Sequence, residues 1–157
     1  MRRTDREVLD RAELMSIIDG CDVIRIGLNG GDVPYIVPMN FGYEVEGDKL
    51  RFYLHSAVEG RKIGLLARDN RVSFEMDADH EFYVFRDNQH ATMRYRSVMG
   101  TGVISPLPPE KKLFGLQMML RHYGREDLLP PPEILERVAV LVLEVDSFTG
   151  KQFIGRP

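Results

Sequence analysis

The residues best suited to chemistry lie in "FYLHSAVEGRKIGLL", residues 52–66. An alternating strand pattern ends at His55. Ser56 and Glu59 then have the spacing of an N-cap and its reciprocal partner, which predicts a helix beginning near Ala57 with Arg61 and Lys62 in its first turn. A helix start exposes unpaired N–H groups and a partial positive charge. With the His55 imidazole, the Ser56 hydroxyl and the two basic side chains, it makes a donor-rich cationic place suited to a terminal phosphate. The same residues also describe a capped surface helix with solvated basic groups, and the segment taken alone favours that simpler reading.

Two further stretches carry weaker signals. In "VPYIVPMNFGYE" Pro34 and Pro38 cannot donate to a sheet ladder, so they belong at an edge, a bulge or a strand end. Free backbone groups there could meet the heteroatoms of a planar heterocycle while Met39, Phe41 or Tyr43 contacts its face. An edge strand protected by proline against aggregation explains the stretch equally well. In "YRSVMGTG" Arg96 and Ser97 offer polar contacts, and Gly100 and Gly102 are read as places where a barrel bends. His55, His80, His90 and His122 have no metal-ligand spacing, and "EMDADHE" is read as a solvated hairpin turn, so no metal is expected. Cys21, the single cysteine, is read as a packing residue because no helper motif accompanies it.

The elements that must position these groups are mostly strands. Thr4 and Glu7 have capping-box spacing, and Leu9, Leu14, Ile17 and Ile18 follow at roughly helical spacing, predicting one or two short N-terminal helices. From Val23 the pattern becomes β-rich: "DVIRIGL", "VPYIVPMNFGYE" and "KLRFYLH" are separated by short turns, as in a meander. Strands are expected again from Val72 to Met76 and at "EFYVF", "ATMRYRSVMGTGVI" and "RVAVLVLEV". "PLPPEKKLFGLQMMLRHYG" reads as a helix whose Met and Leu stripe is core. "LLPPPEIL" reads as a loop leading into a short turn. Six or seven strands without βαβ alternation predict a mainly β protein, an antiparallel barrel either closed or half-open.

The chain has 157 residues, 43% hydrophobic and 29% charged, with a net charge of -3. That is ordinary for one soluble domain over residues 1–157. The balance gives no net attraction to nucleic acid, and no run approaches the ~20 apolar residues of a membrane span. Neither partner is expected. No signal-peptide pattern follows Met1, so the expected location is cytoplasmic.

Taken together, "PYIVPMNFGYE", "FYLHSAVEGRK", "VSFEMD", "YRSVMGTG" and the terminal "TGK" resemble the nitroimidazole-resistance branch of the FMN-binding split-barrel proteins related to pyridoxamine 5'-phosphate oxidase. The resemblance runs from "DREVLDRAEL" to "TGK". It implies a homodimeric split β-barrel that holds FMN between protomers and acts as an oxidoreductase, with nitroreductase as the narrower form of that activity, on a small molecule. His55, Ser56, Arg61 and Lys62 then become phosphate-side candidates, and Pro38, Met39, Asn40 and Phe41 ring-side candidates. Arg96, Ser97 and Lys151 resemble positions that approach the flavin, with the partner chain as one source. Arg61 stands where many relatives carry lysine, which keeps the charge and changes the donor geometry. Two other readings stay open: a flavin carrier or sensor without turnover, and a related haem-binding barrel with a histidine ligand.

Overall fold

The chain passes from one edge of its sheet to the other across a single residue, Asn40. The structure, a computed structural model, describes residues 3–86 and 89–155. The two ends of the expected 1–157 domain, including Met1, therefore fall outside the described residues. In chain order the elements are β1 (Glu7–Val8), α1 (Arg11–Asp19), β2 (Ile24–Leu28), β3 (Tyr35–Met39), β4 (Phe41–Glu46) and β5 (Lys49–Ala57). These are followed by α2 (Arg61–Leu66), β6 (Arg71–Val84), β7 (Ala91–Pro106), α3 (Lys112–His122), α4 (Pro132–Arg137) and β8 (Val138–Phe153).

The strands form one antiparallel sheet in the order β3-β2-β6-β7-β8-β5-β4, with β1 added against β8. β3 and β4 are its two edges. Met39 is in register with Ile24 of β2, and Phe41 with Leu54 of β5. Because only Asn40 separates them, the sheet must curl until its edges meet, which makes a split barrel with β3 and β4 at the seam. The local hairpins of a meander are present, but β2 takes β6 rather than β4 as its second neighbour.

Inside the curl, Phe41, Phe52 and Phe74 pack edge to face, with ring centroids 5.6 Å and 5.3 Å apart in succession. The inward residues of β5 are those the period-two pattern selects, Leu50, Phe52 and Leu54. A second, smaller core forms outside the barrel, where Leu116 and Met119 of α3 cover Tyr53, Val140 and Val142. This is why Tyr53, on the face of β5 that points away from the barrel, is buried. The Met and Leu stripe of α3 is core, as its spacing implies.

Close approach explains the glycines of β7. A Cβ at Gly102 would lie 2.2 Å from the Glu144 carbonyl oxygen, and one at Gly100 2.5 Å from the Phe74 ring. The β7–β8 register shifts between Thr101 and Gly102, so these residues bend the barrel.

Three expectations are corrected. Thr4 does not cap a helix, because Glu7 and Val8 pair with Lys151 and Gly150 of β8. The helix starts later, where the Asp10 carboxylate accepts from the Glu13 N–H at 2.8 Å. "EMDADHE" is not a turn: β6 runs through it, with a register shift between Ala78 and Glu81 that places Asp79 at φ 58°. Ser56 does not cap α2, for reasons given below.

Gly42 of β4 tests how closely α3 is seated, since a Cβ there would lie 2.2 Å from the Met118 carbonyl oxygen of that helix. Gly42→Ala should cost about 1 to 3 kcal/mol through overpacking, a fall of roughly 3 to 10 °C in Tm. Gly64→Ala in α2 meets open space and should leave Tm unchanged or raise it slightly. Thermal denaturation followed by circular dichroism distinguishes the two, and equal shifts would disprove the close seating.

Candidate functional site

The end of β5 and the start of α2 bring His55, Arg61 and Lys62 into one neighbourhood. β5 does not stop at Ser56, because His55, Ser56 and Ala57 continue the ladder with Val140, Ala139 and Val138 of β8. The turn that follows is made by Gly60, whose φ of 126° is a conformation other residues rarely adopt. Gly60, not Ser56, therefore precedes α2, and no side chain caps the helix.

Strand alternation separates the two neighbours. His55 is exposed on the outer face, whereas Ser56 points into the barrel and is buried. The Ser56 hydroxyl has no hydrogen-bond partner, a situation that costs free energy in a native interior.

His55, though exposed as a residue, is held below its ordinary imidazole pKa, first by partial desolvation of the ring among its neighbours and then by repulsion from the nearby Lys62 ammonium. Lys62 is itself held below the usual lysine value by burial. Among the described residues Lys62 has no carboxylate partner. A partly desolvated cation beside an uncharged imidazole is a place where an arriving anion gains attraction without first breaking an ion pair. Arg61 is positioned differently: its guanidinium lies 4.5 Å over the Tyr35 ring of β3, tying α2 to the seam. Tyr35 was not singled out by the sequence, because nothing local links it to a helix that starts 26 residues later in the chain.

The seam carries the remaining ring-side positions. Pro38 sits in edge strand β3 opposite Arg25, in keeping with its missing donor. The side chains of Met39 and Phe41 are buried in the barrel core, so these two positions present only backbone to an outside ligand. Asn40 is exposed, and its amide donates to the Tyr123 hydroxyl at 3.2 Å. Tyr123 also accepts from the Phe41 N–H at 3.1 Å and donates to the Asp22 carbonyl at 2.7 Å. This residue at the end of α3 pins the seam in place. Only the tertiary structure identifies it, since its partners lie more than 80 positions away.

Arg96, Ser97 and Lys151 are elsewhere. Arg96 is engaged by Asp79 at 3.4 Å and by the Ser16 hydroxyl at 3.3 Å. Ser97 donates to the Lys151 carbonyl at 3.4 Å, on the opposite face of β7. His55 pairs with Val140 and Ser97 with Lys151, so eleven residues of β8 separate the two groups, up to roughly 35 Å along an extended strand.

Other chemistries find less support. Cys21 is buried, donates to the Ile17 carbonyl at 3.1 Å and is pushed up to about 12 by that burial, which leaves no thiolate nucleophile at neutral pH. Among the described residues no group of three His, Cys, Asp or Glu side chains is arranged to hold a metal ion. No helix among them is long and apolar enough to cross a membrane. A cleft of about 590 Å³ between α1, α3 and β4 is lined partly by Asp19, Tyr43, Arg121 and His122. The Tyr43 hydroxyl there donates to Asp19 at 2.6 Å.

The curled antiparallel sheet with helices at its seam and flank defines the class, a split β-barrel. Residues 10–152 match the family model described as pyridoxamine 5'-phosphate oxidase, and the chain belongs to that family. The chain superposes on a candidate 5-nitroimidazole antibiotic resistance protein of Bacteroides thetaiotaomicron with a TM-score of 0.82 and 32% identity, covering 94% of this chain and 86% of that one. An FAD and heme binding protein of Mycobacterium smegmatis superposes with a TM-score of 0.81 at 19% identity, covering 97% and 75%. A flavocytochrome of Azotobacter vinelandii does so with 0.79 at 22% identity, covering 100% and 73%. A search of the curated proteins found no match.

The His55 environment makes a pH prediction. Below its ordinary value of 6.5 the unfolded chain takes up a proton that the folded protein resists. His55 therefore leaves stability untouched above that pH and subtracts from it as the pH falls. NMR titration of the His55 imidazole should give a midpoint below 6.5, and Lys62→Met should raise it while burial keeps it from recovering fully. A wild-type midpoint at or above 6.5 would refute the desolvation of the ring, and a midpoint that Lys62→Met leaves unchanged would refute the proximity of the two groups.

Proposed function

We propose that this chain is an FMN-dependent oxidoreductase working as a homodimer, with nitro-substituted heterocycles as its substrate class. The observation that carries the reading is the cationic site of Lys62 and Arg61, neither of them in an ion pair among the described residues, beside the uncharged His55. It fits a phosphate monoester, which brings the negative charge the site lacks and accepts hydrogen bonds from all three side chains. Ser56, whose hydroxyl points into the barrel on the opposite face of β5, takes no part in that site. The fit is therefore to the anionic end of FMN. The likeness to the Bacteroides protein supports the substrate class.

In this reading Lys62 and Arg61 bind and orient the phosphate, and the stacking of Arg61 on Tyr35 holds its guanidinium toward the seam. The seam supplies backbone groups and the Asn40 amide for the ring system, with Tyr123 limiting how far Asn40 can turn. Bound there, FMN would supply the electron transfer. Arg96 is occupied within its own chain and contributes through α1, whereas Ser97 and Lys151 face outward. The separation of Ser97 and Lys151 from His55 along β8 supports a dimer, since a second copy could bring the outward pair to the flavin that the first copy holds.

Arg61→Ala and Lys62→Ala should each weaken FMN by about 1.5 to 3 kcal/mol, roughly tenfold to a hundredfold. Riboflavin, without the phosphate, should be nearly unaffected. Fluorescence titration with the two ligands tests this, and equal losses would place the damage in folding or at the ring. A protein that ignores added FMN would sink the reading, and a haem would declare itself in the same absorption spectrum.

Light scattering at micromolar concentration should give twice the chain mass. A monomer that binds FMN tightly would remove the partner from the site.

A further inference from the structure

Asn40 divides the split of the barrel into two halves. On one side of it the free edge of β3 faces α2, where Arg61 lies over Tyr35. On the other side the free edge of β4 faces α1 and α3 across the cleft of about 590 Å³. α1 is tied alongside β4 at both ends. Arg11 bonds the Asp48 carboxylate and the Gly47 carbonyl, each at 2.8 Å, and Asp19 accepts from the Tyr43 hydroxyl at 2.6 Å.

The polar side chains of this cleft are mostly engaged, and its backbone is not. His122 Nε2 donates to the Cys21 carbonyl at 2.8 Å, and Glu44 accepts from the Tyr53 hydroxyl and from Arg51. β4 pairs with β5 from Phe41 to Glu46 without a register shift. Along such a ladder, residues alternate between bonding the neighbouring strand and turning their N–H and C=O the other way. The Phe41 N–H turns away from β5, since it donates to the Tyr123 hydroxyl at 3.1 Å. The same alternation turns the backbone groups of Tyr43 and Val45 to that side, where neither has a hydrogen-bond partner among the described residues. Both residues line the cleft.

We infer that this half of the split is a second binding site, for a planar lactam whose N–H donates to the Tyr43 carbonyl and whose carbonyl accepts from the Val45 N–H. The carbonyl of one edge residue and the N–H of the residue two further on lie on the same side of a strand, an acceptor beside a donor. A cyclic amide offers the complementary pair in one plane. An added peptide strand fits less well because so little of the edge is open: Tyr123 caps Phe41 at one end, and Arg11 closes on the Gly47 turn at the other. Met15, Phe114 and Met118 give the ring apolar walls, and a cleft of this size with few polar anchors suits a small heterocycle. The site does not depend on the flavin reading, since it lies on the other side of Asn40 from α2.

The test is calorimetric titration of the purified full chain with carbostyril, a bicyclic lactam, and with N-methylcarbostyril, with and without FMN. Carbostyril should bind saturably at one site, and the N-methyl compound, which lacks the donor, about tenfold more weakly. Val45→Pro removes the edge N–H without breaking a β4–β5 bond and should weaken carbostyril by a similar factor. Should that variant fail to fold, amide hydrogen exchange of the wild type reads the same group: the Val45 N–H should exchange quickly in the free protein and slowly with carbostyril bound. A Val45 amide already protected in the free protein would mean that the edge is closed. No saturable binding, or equal binding of the N-methyl compound, would overturn the lactam assignment. Competition between carbostyril and FMN would make the cleft part of the flavin site and end its claim to be separate.

Discussion

Everything else in this protein depends on the seam at Asn40. One strand-forming stretch, Tyr35–Glu46, supplies both edges of the sheet, and a sheet whose edges are joined by one residue cannot lie open. The three phenylalanines packed edge to face occupy the interior that the curl creates, and the glycines of β7 permit the bend on the opposite wall. The seam is also the place where free backbone groups and an exposed amide occur together. Closing the barrel and exposing a ligand-facing edge are consequences of the same step.

That geometry gives α2 its role. The helix is too short to be stable alone, and it is held by apolar residues, including Ile63 and Leu66, packed on the barrel core and by Arg61 on Tyr35. Its basic residues are thus presented on a supported turn beside the seam rather than on a free loop. The electrostatic cost is visible in Lys62 and His55, both held toward their uncharged forms by burial, with Lys62 adding to the shift of His55. A site that disfavours its own charges in isolation is one that an anion can stabilise.

β8 links the two ends of the molecule. Its first half packs against β5 beside His55, and its second half carries Lys151 and Phe153 along β7 to the end of the barrel where the Arg6 guanidinium lies over the Phe153 ring. A strand of this length keeps two cationic regions apart that a list of basic residues would merge into one patch. Their chemistry also differs: the His55 end is bordered by backbone edges and the Phe153 end by ring faces.

The period-two pattern alone determined most of the strands and which face of β5 enters the core, because burial of alternate residues is written directly into their order. The prolines marked the edge, and the helical stripe from Leu113 marked α3. Sequence spacing misjudged the helix starts at Thr4 and Ser56, since a local capping preference is weak against the ladder bonds that β8 offers to Glu7, Val8 and residues 55–57. It grouped His55 with Ser56, which alternation places on opposite faces, and it could not separate Arg96 from Ser97 for the same reason. Tyr35 and Tyr123 acquired their roles only through the tertiary structure, because each depends on partners that the closing of the barrel, and not the chain order, brings within reach.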